Sequence, residues 1–378
     1  MSDQKEAAER LGMTEQLLRQ SKYWQAEKVA RSILDTQPLH PQALLGLAVA
    51  LLGVGRVDEA AHQLDKAAAN GAGAEQCAPW RAQIDTARQN RKANPRPMKY
   101  LWPYQTQGDV KRANDMMASG DVEGASNLHR EILRLVPHEA HSVSHFGAQR
   151  PNYFYGVSMA ARLAKMLGYE AVSVIEFGVA AGDGFRSLEQ SALFIQDLLE
   201  IEIKVFGFDL GEGLPTPVDY RDASFVWQAG EYKMDHDFLR QRLVNAELIL
   251  GEVSETIKSF TPPKGAPVGF CSFDLDYYSS TMSAFDILRR KDACLPRVCC
   301  YFDDIISHFF FPNCEFIGEL AAIEDFNKES ETRKIARINK PQNHLMFPIA
   351  ESWHPHIFYY HDFAHPQYNT YAMPEPLA

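Results

Sequence analysis

From about residue 172 the chain carries short, unbroken apolar runs rich in β-forming residues: AVSVIEF, KVFGFD, ELIL, VGFCSFD and RVCCYFD. Amphipathic helical stretches separate them. Strands apolar on both faces are those of a parallel sheet covered on both sides. Strands alternating with helices build βαβ units. The expected fold is therefore α/β, a doubly wound and mostly parallel sheet of Rossmann-like type, over 141–378. At 378 residues the chain is long enough for a second domain.

That second domain, expected over 1–140, reads as all-α. Ala26 and Ala60 lie 34 positions apart, as do Tyr23 and Val57. GRVDEA at 55–60 is echoed by GDVEGA at 120–125, and Pro38 and Pro137 fall at equal distances after Ala26 and Ala125. A helix–turn–helix with small residues at the helix contact, closed by proline, resembles the tetratricopeptide repeat. The likeness covers two continuous repeats and a displaced third at 106–139. Stacked repeats of this kind offer a docking face for a protein or peptide, or act as a helical cap or dimerisation element. Between them, ANPRPMKYLWPYQ at 93–105 reads as an extended linker or strap.

The net charge of −11 argues against binding nucleic acid through phosphate neutralisation. No apolar run reaches a membrane span, and the N-terminus lacks the pattern of a secretory signal. The six cysteines form no C-x-x-C pair, and Cys271, Cys299 and Cys300 sit in apolar runs as small hydrophobes. A reducing, cytoplasmic setting is expected.

The first strand runs into GVAAGDG and then a helix. A glycine-bearing turn between strand end and helix start lets a ligand lie against the backbone. Glu176 ends the strand just before Gly178, Gly182 and Gly184, and Asp209 closes the second strand where ribose hydroxyls are bound in doubly wound folds. The turn is neither G-x-G-x-x-G nor a P-loop, which disfavours dinucleotides and nucleoside triphosphates. A glutamate there repels pyrophosphate but suits S-adenosylmethionine, which carries a sulfonium and an ammonium and no phosphate. The alternative is an ordinary tight βα turn.

Acids crowd the ends of two further strands. GFCSFDLDYYSST places Asp274 and Asp276 after the fourth strand, and RVCCYFDDI places Asp303 and Asp304 after the fifth. Neighbouring strands lie about 4.8 Å apart, so these carboxylates converge and repel unless a cation sits among them. Asp274, Asp303 and Asp304 are the expected ligands of Mg2+, with Mn2+ or Ca2+ in its place. A metal-bound hydroxyl loses its proton more easily, and Asp276, or His308 four positions beyond Asp304, is placed to take it. Taken singly, each acid also reads as a helix N-cap or a solvated loop carboxylate.

EFGVAAGDG (176–184), FDLGEGLPTP (208–217), ILGEVSETI (249–257), FDLDYYSST (273–281) and FDDI (302–305) occur in this order. Together they resemble the macrocin O-methyltransferase family, which methylates sugar hydroxyls of natural products. The resemblance covers roughly 170–330. It implies a class I methyltransferase fold, S-adenosylmethionine as donor and magnesium dependence. It places Asp274, Asp303 and Asp304 at the metal, Asp276 at the base, Asp209 at the donor ribose, and Glu176 and Gly178 in the donor loop. Ala180 and Ala181 stand where the family commonly carries a bulky residue and a basic one.

The expected activity is thus metal-dependent O-methylation of a hydroxyl on a sugar or other natural-product small molecule. The rivals are methylation of a peptide or carrier-bound substrate recruited by the repeats, and a non-catalytic repeat scaffold. Expected partners are a hydroxylated small molecule, a protein or peptide on the helices, and a second copy in a homo-oligomer; nucleic acid and membrane are not expected. The acceptor pocket is assigned to segments 141–165, 211–245 and 305–320, with Tyr153, Tyr155, Tyr277, Tyr278 and His308 as candidate liners. HPHIFYYHDFAHPQYNTY near the C-terminus reads as a pocket wall or an amphipathic edge strand.

Overall fold

A computed structural model of the chain describes residues 2–100, 103–135, 150–307, 311–338 and 352–376. The chain opens with helices α1 (Ser2–Arg19), α2 (Tyr23–Leu34), α3 (Pro41–Gly53), α4 (Val57–Ala69) and α5 (Ala74–Ala93). A short strand β1 (Lys99–Tyr100) follows, then α6 (Pro103–Ala118) and α7 (Val122–Leu135). Three helix pairs result, α1/α2, α3/α4 and α6/α7. Ala26, Ala60 and Ala125, the residues of the sequence echo, are all fully buried. Close approach explains the small residues: a Cβ on Gly53 would lie 2.4 Å from the Tyr23 ring. Buried charges pair across the first two hairpins, Arg31 with Glu59 at 2.6 Å and Arg56 with Glu27 at 2.7 Å.

The third hairpin folds back on the first two. Glu123 accepts a hydrogen bond from the Trp24 backbone N–H at 3.0 Å, and Arg130 donates to the carbonyls of Val54 and Gly55. The proline-rich strap is extended at β1, whose two residues pair in parallel with β9 (Glu375–Pro376). It becomes helical at Pro103, a first helical position that proline tolerates. Pro137 and the expected boundary near residue 140 lie outside the described residues.

The remainder is α8 (Pro151–Met166), β2 (Ala171–Phe177), α9 (Asp183–Leu199), β3 (Glu202–Asp209), α10 (His236–Arg242), β4 (Glu247–Leu250), α11 (Val253–Ser259), β5 (Val268–Phe273), α12 (Tyr278–Ala284), α13 (Asp286–Arg289), β6 (Cys294–Phe302), α14 (Gly318–Glu329), β7 (Arg333–Arg337) and β8 (Ile357–Asp362). The seven-stranded sheet has the order β4-β3-β2-β5-β6-β8-β7. All pairings are parallel except those of β8, which runs against both neighbours. This is a doubly wound α/β fold preceded by an all-helical region. The C-terminal segment is a correction: β8 is not an edge strand but is inserted between β6 and β7, and β7 takes the edge. Within segment 141–165 the described part is a second correction: Pro151–Met166 is a helix whose residues are mostly buried and which packs on the sheet, while 141–149 lie outside the described residues.

Register aligns four strand ends. Phe208, Phe177, Phe273 and Phe302 are mutual partners across β3, β2, β5 and β6. Their rings stack at 5.1, 5.3 and 4.8 Å between centroids. The row lies in one of two large apolar clusters, on one face of the sheet, with Ile175, Cys271 and Cys300. Cys271, Cys299 and Cys300 are buried thiols as expected, and none of the six cysteines is paired. Among the described residues no helix is long and apolar enough to cross a membrane.

Phe273 touches Phe177, Phe285 and Phe302 and is fully buried. Phe273→Ala is expected to cost about 3–5 kcal/mol of unfolding free energy. Denaturant unfolding measures this; a loss below about 1 kcal/mol would show that the row is not a continuous packed unit.

Candidate functional site

The residue after each phenylalanine of the row is, from β3 to β6, Asp209, Gly178, Asp274 and Asp303. The row therefore brings the expected site residues level at the carboxyl end of the sheet. Consecutive connections depart to opposite sides of β2 and β5, and such a switch point opens a crevice where ligands bind. A cavity of about 340 Å³ lies there, lined among others by Gly178, Asp209, Asp274, Asp276, Asp303 and Asp304.

Gly178 has φ +84°, and a Cβ there would lie 1.7 Å from the Asp274 carbonyl oxygen. Only glycine fits between the β2 and β5 strand ends. Asp209 braces the loop that follows. Its Oδ2 accepts from Val179 N–H at 2.8 Å and Ala180 N–H at 2.9 Å, and its Oδ1 accepts from Gly211 N–H at 2.6 Å. A carboxylate offers about four lone-pair positions, so Asp209 keeps acceptor capacity towards the cavity.

Glu176 and Gly182 are placed differently: neither lines the cavity. Glu176 is 1% exposed and its Oε1 accepts from the Tyr153 hydroxyl at 2.6 Å. The Tyr153 hydroxyl in turn accepts from Ser272 at 2.9 Å. Burial pushes the Glu176 carboxyl up to about 8, against the lowering effect of the Tyr153 hydrogen bond. Gly182 caps α9 at φ +88°, with Leu239 filling the space its side chain would need.

The acids meet in pairs. The Asp276 backbone N–H donates to Asp304 Oδ2 at 3.2 Å, and the Asp304 N–H donates to Glu319 Oε2 at 3.1 Å. Tyr301 donates to Asp303 Oδ1 at 2.7 Å, and Arg150 stands 4.0 Å from Asp274. Burial, reinforced by the charges of Asp303 and Asp304, pushes the Asp274 carboxyl far above its usual range. Burial and Asp276 do the same to Asp304, and burial and Asp304 to Glu319. Asp276, held at φ +59°, is pushed up to about 8 by burial and then by Asp274. Among the described residues no three His, Cys, Asp or Glu side chains come together as an ion cage, Asp274, Asp303 and Asp304 included. The donors are nevertheless all carboxylate oxygens, and Glu319 Oε1 is buried without a partner. This donor chemistry fits a hard divalent cation.

Glu319 and Arg150 carry no sequence signal: one lies in the first turn of α14, the other just before α8. Glu252 and Trp227 also line the cavity; Glu252 sits inside ILGEVSETI without having been singled out. Of the candidate liners, Tyr153, Tyr155 and Tyr277 are buried side chains, and none lines the cavity. Tyr153 packs on Phe270 and Tyr301, and Tyr155 on Trp353. Tyr278 lies under Arg221 at 3.8 Å and donates to Asp325. Segment 211–245 does supply the wall, through Gly213, Leu214, Pro215, Trp227 and Tyr232. His308 lies outside the described residues.

No model of a known protein family matches the chain, and no curated protein matches it. Among solved structures it is similar to the O-methyltransferase NovP at 12% identity, covering 56% of this chain and 79% of that one, with a TM-score of 0.38. It is also similar to the calicheamicin methyltransferase CalS11 at 16% identity, covering 58% and 83%, with a TM-score of 0.34. An rRNA methylase from Streptococcus thermophilus aligns at 14% identity over 54% and 94%, with a TM-score of 0.28. At these values none of them bears on activity, and the fold rests on the strand order itself.

The raised Glu176 carboxyl has a consequence for pH. An acid that holds its proton more tightly in the folded chain stabilises it fully below its free value of 4.5, and that contribution is lost as the pH climbs to about 8. Stability should fall across this window by up to about 1.4 kcal/mol per pH unit. Glu176→Gln should flatten the fall in thermal melts; an unchanged slope would mean that Glu176 is ionised in the folded chain.

Proposed function

We propose that the chain is an S-adenosylmethionine-dependent methyltransferase acting on a hydroxyl of a small molecule, a sugar or other natural product, with a divalent cation held by Asp274, Asp303 and Asp304. The observation that carries this reading is the single cavity shared by the Gly178 loop, Asp209 and the four aspartates. S-adenosylmethionine brings an electrophilic methyl carried on a sulfonium, and a divalent cation, when bound, makes the acceptor hydroxyl more acidic.

The chain's own residues do the rest. Gly178 lets the donor lie against the β2 strand end, and Asp209 braces the loop while offering lone pairs to ribose hydroxyls. Glu176, at the end of β2 behind the loop, is tied through the Tyr153 hydroxyl to Ser272 of β5. Carboxylates beside the cavity favour a cationic donor over a phosphate-bearing one. Asp276 takes the acceptor proton on its carboxylate when ionised; His308 is the second candidate for that proton. Held in line with the donor methyl, the acceptor oxygen gains from position alone.

Methyl transfer from labelled donor to candidate polyols, with and without EDTA, tests the reading; full activity in chelator would remove the cation from it. Asp303→Asn is expected to lower turnover by roughly 100-fold or more, leaving donor affinity within about 3-fold in calorimetry. An equal loss of donor affinity would overturn the separation of roles. No heat on adding S-adenosylmethionine would favour the scaffold reading.

A further inference from the structure

A second cavity, of about 440 Å³, lies far from the acids, where the helical region meets the end of α9. Its walls come from the α3–α4 turn, the second half of α5, the strap, α7 and α9. Three arginines face it, Arg91, Arg96 and Arg130, with the side-chain amides of Asn90 and Asn94. The concentration of cations stands out in a chain of net charge −11.

The two acids in the wall are already engaged. Asp197 is fully buried and accepts from the N–H groups of Asp58 and Glu59, at 2.9 and 3.2 Å, and from Arg91 at 2.8 Å. Glu200 accepts from the Arg96 backbone N–H at 3.0 Å and faces the Arg96 guanidinium at 3.8 Å. Arg91 is shared between Asp58 and Asp197. Among the described residues Arg130 pairs with no carboxylate; it donates to the carbonyls of Val54 and Gly55, and its Nε is buried without a partner there. Burial pulls Arg130 down to about 10, and the charges of Arg56, Arg96 and Arg91 act in the same direction despite Asp197. The wall thus sets three guanidinium groups against two carboxylates that are already engaged, and its volume is that of a small-molecule pocket.

We propose that this cavity binds an oxyanion-bearing small molecule, a phosphate ester or a polycarboxylate, with Arg130 and Arg96 as its anion contacts. Guanidinium groups match phosphate and carboxylate oxygens in pairs of hydrogen bonds. The asparagine amides would hold the uncharged part of the ligand. The site is separate from the acid-lined cavity and does not depend on methyl transfer.

The test is calorimetric titration of the full chain with inorganic pyrophosphate and, separately, with citrate; the stronger ligand identifies the class of oxyanion. Saturable binding tighter than about 1 mM is expected for at least one. Arg130→Gln and Arg96→Gln should each weaken it about 10-fold or more, while thermal melts of Arg96→Gln, a half-exposed side chain, stay at the wild-type midpoint. No saturable heat from either anion up to about 10 mM, or wild-type affinity in Arg96→Gln, would overturn the proposal.

Discussion

The stacked row Phe208–Phe177–Phe273–Phe302 sets the geometry on which the rest depends. Parallel strands fix side-chain register in steps of two, and a slip of one residue would turn each ring to the opposite face. Four aromatic rings in contact make such a slip costly. With the rings aligned, the next residue of each strand emerges at the same level. One of these four is a glycine, which allows the β2 and β5 ends to approach, and three are aspartates. The row therefore converts an apolar pattern into a polar constellation.

The constellation is under electrostatic load. Asp274, Asp304 and Glu319 are all pushed far upward, first by burial and then by one another. Asp209 is placed differently: the backbone N–H groups of Val179, Ala180 and Gly211 donate to it. Two kinds of carboxylate thus stand at one sheet end. One is spent largely on holding its own loop, and the other is held by the fold in a charge state it would not choose. That division parallels the separation of donor and acceptor sides in the proposed activity.

The sheet was legible where its strands are apolar throughout: AVSVIEF and ELIL coincide with β2 and β4, and VGFCSF with β5. β7, RKIAR, was not read because only Ile335 is buried in it. β8, IFYYHD, passes from apolar to polar along its length, and nothing local announces that β7 will pair outside it. α8 carries no helical signal of its own, because it is buried nearly all round and so shows no amphipathic period. The candidate site was legible at Gly178, Asp209 and the four aspartates, whose placement follows from strand ends. It was not legible at Arg150 or Glu319, which arrive from elements distant in sequence. The tyrosines misled because an aromatic beside a motif is as readily core as lining.

The two regions share one helix start. The first N–H groups of α4 have no partner within their own helix, and Asp197 of α9 supplies it from across the junction. Transplanting the helical hairpins onto another sheet would leave those donors bare unless residue 197 travelled with them. The junction is thus a shared part rather than a seam, and the two regions are constrained to vary together at that point.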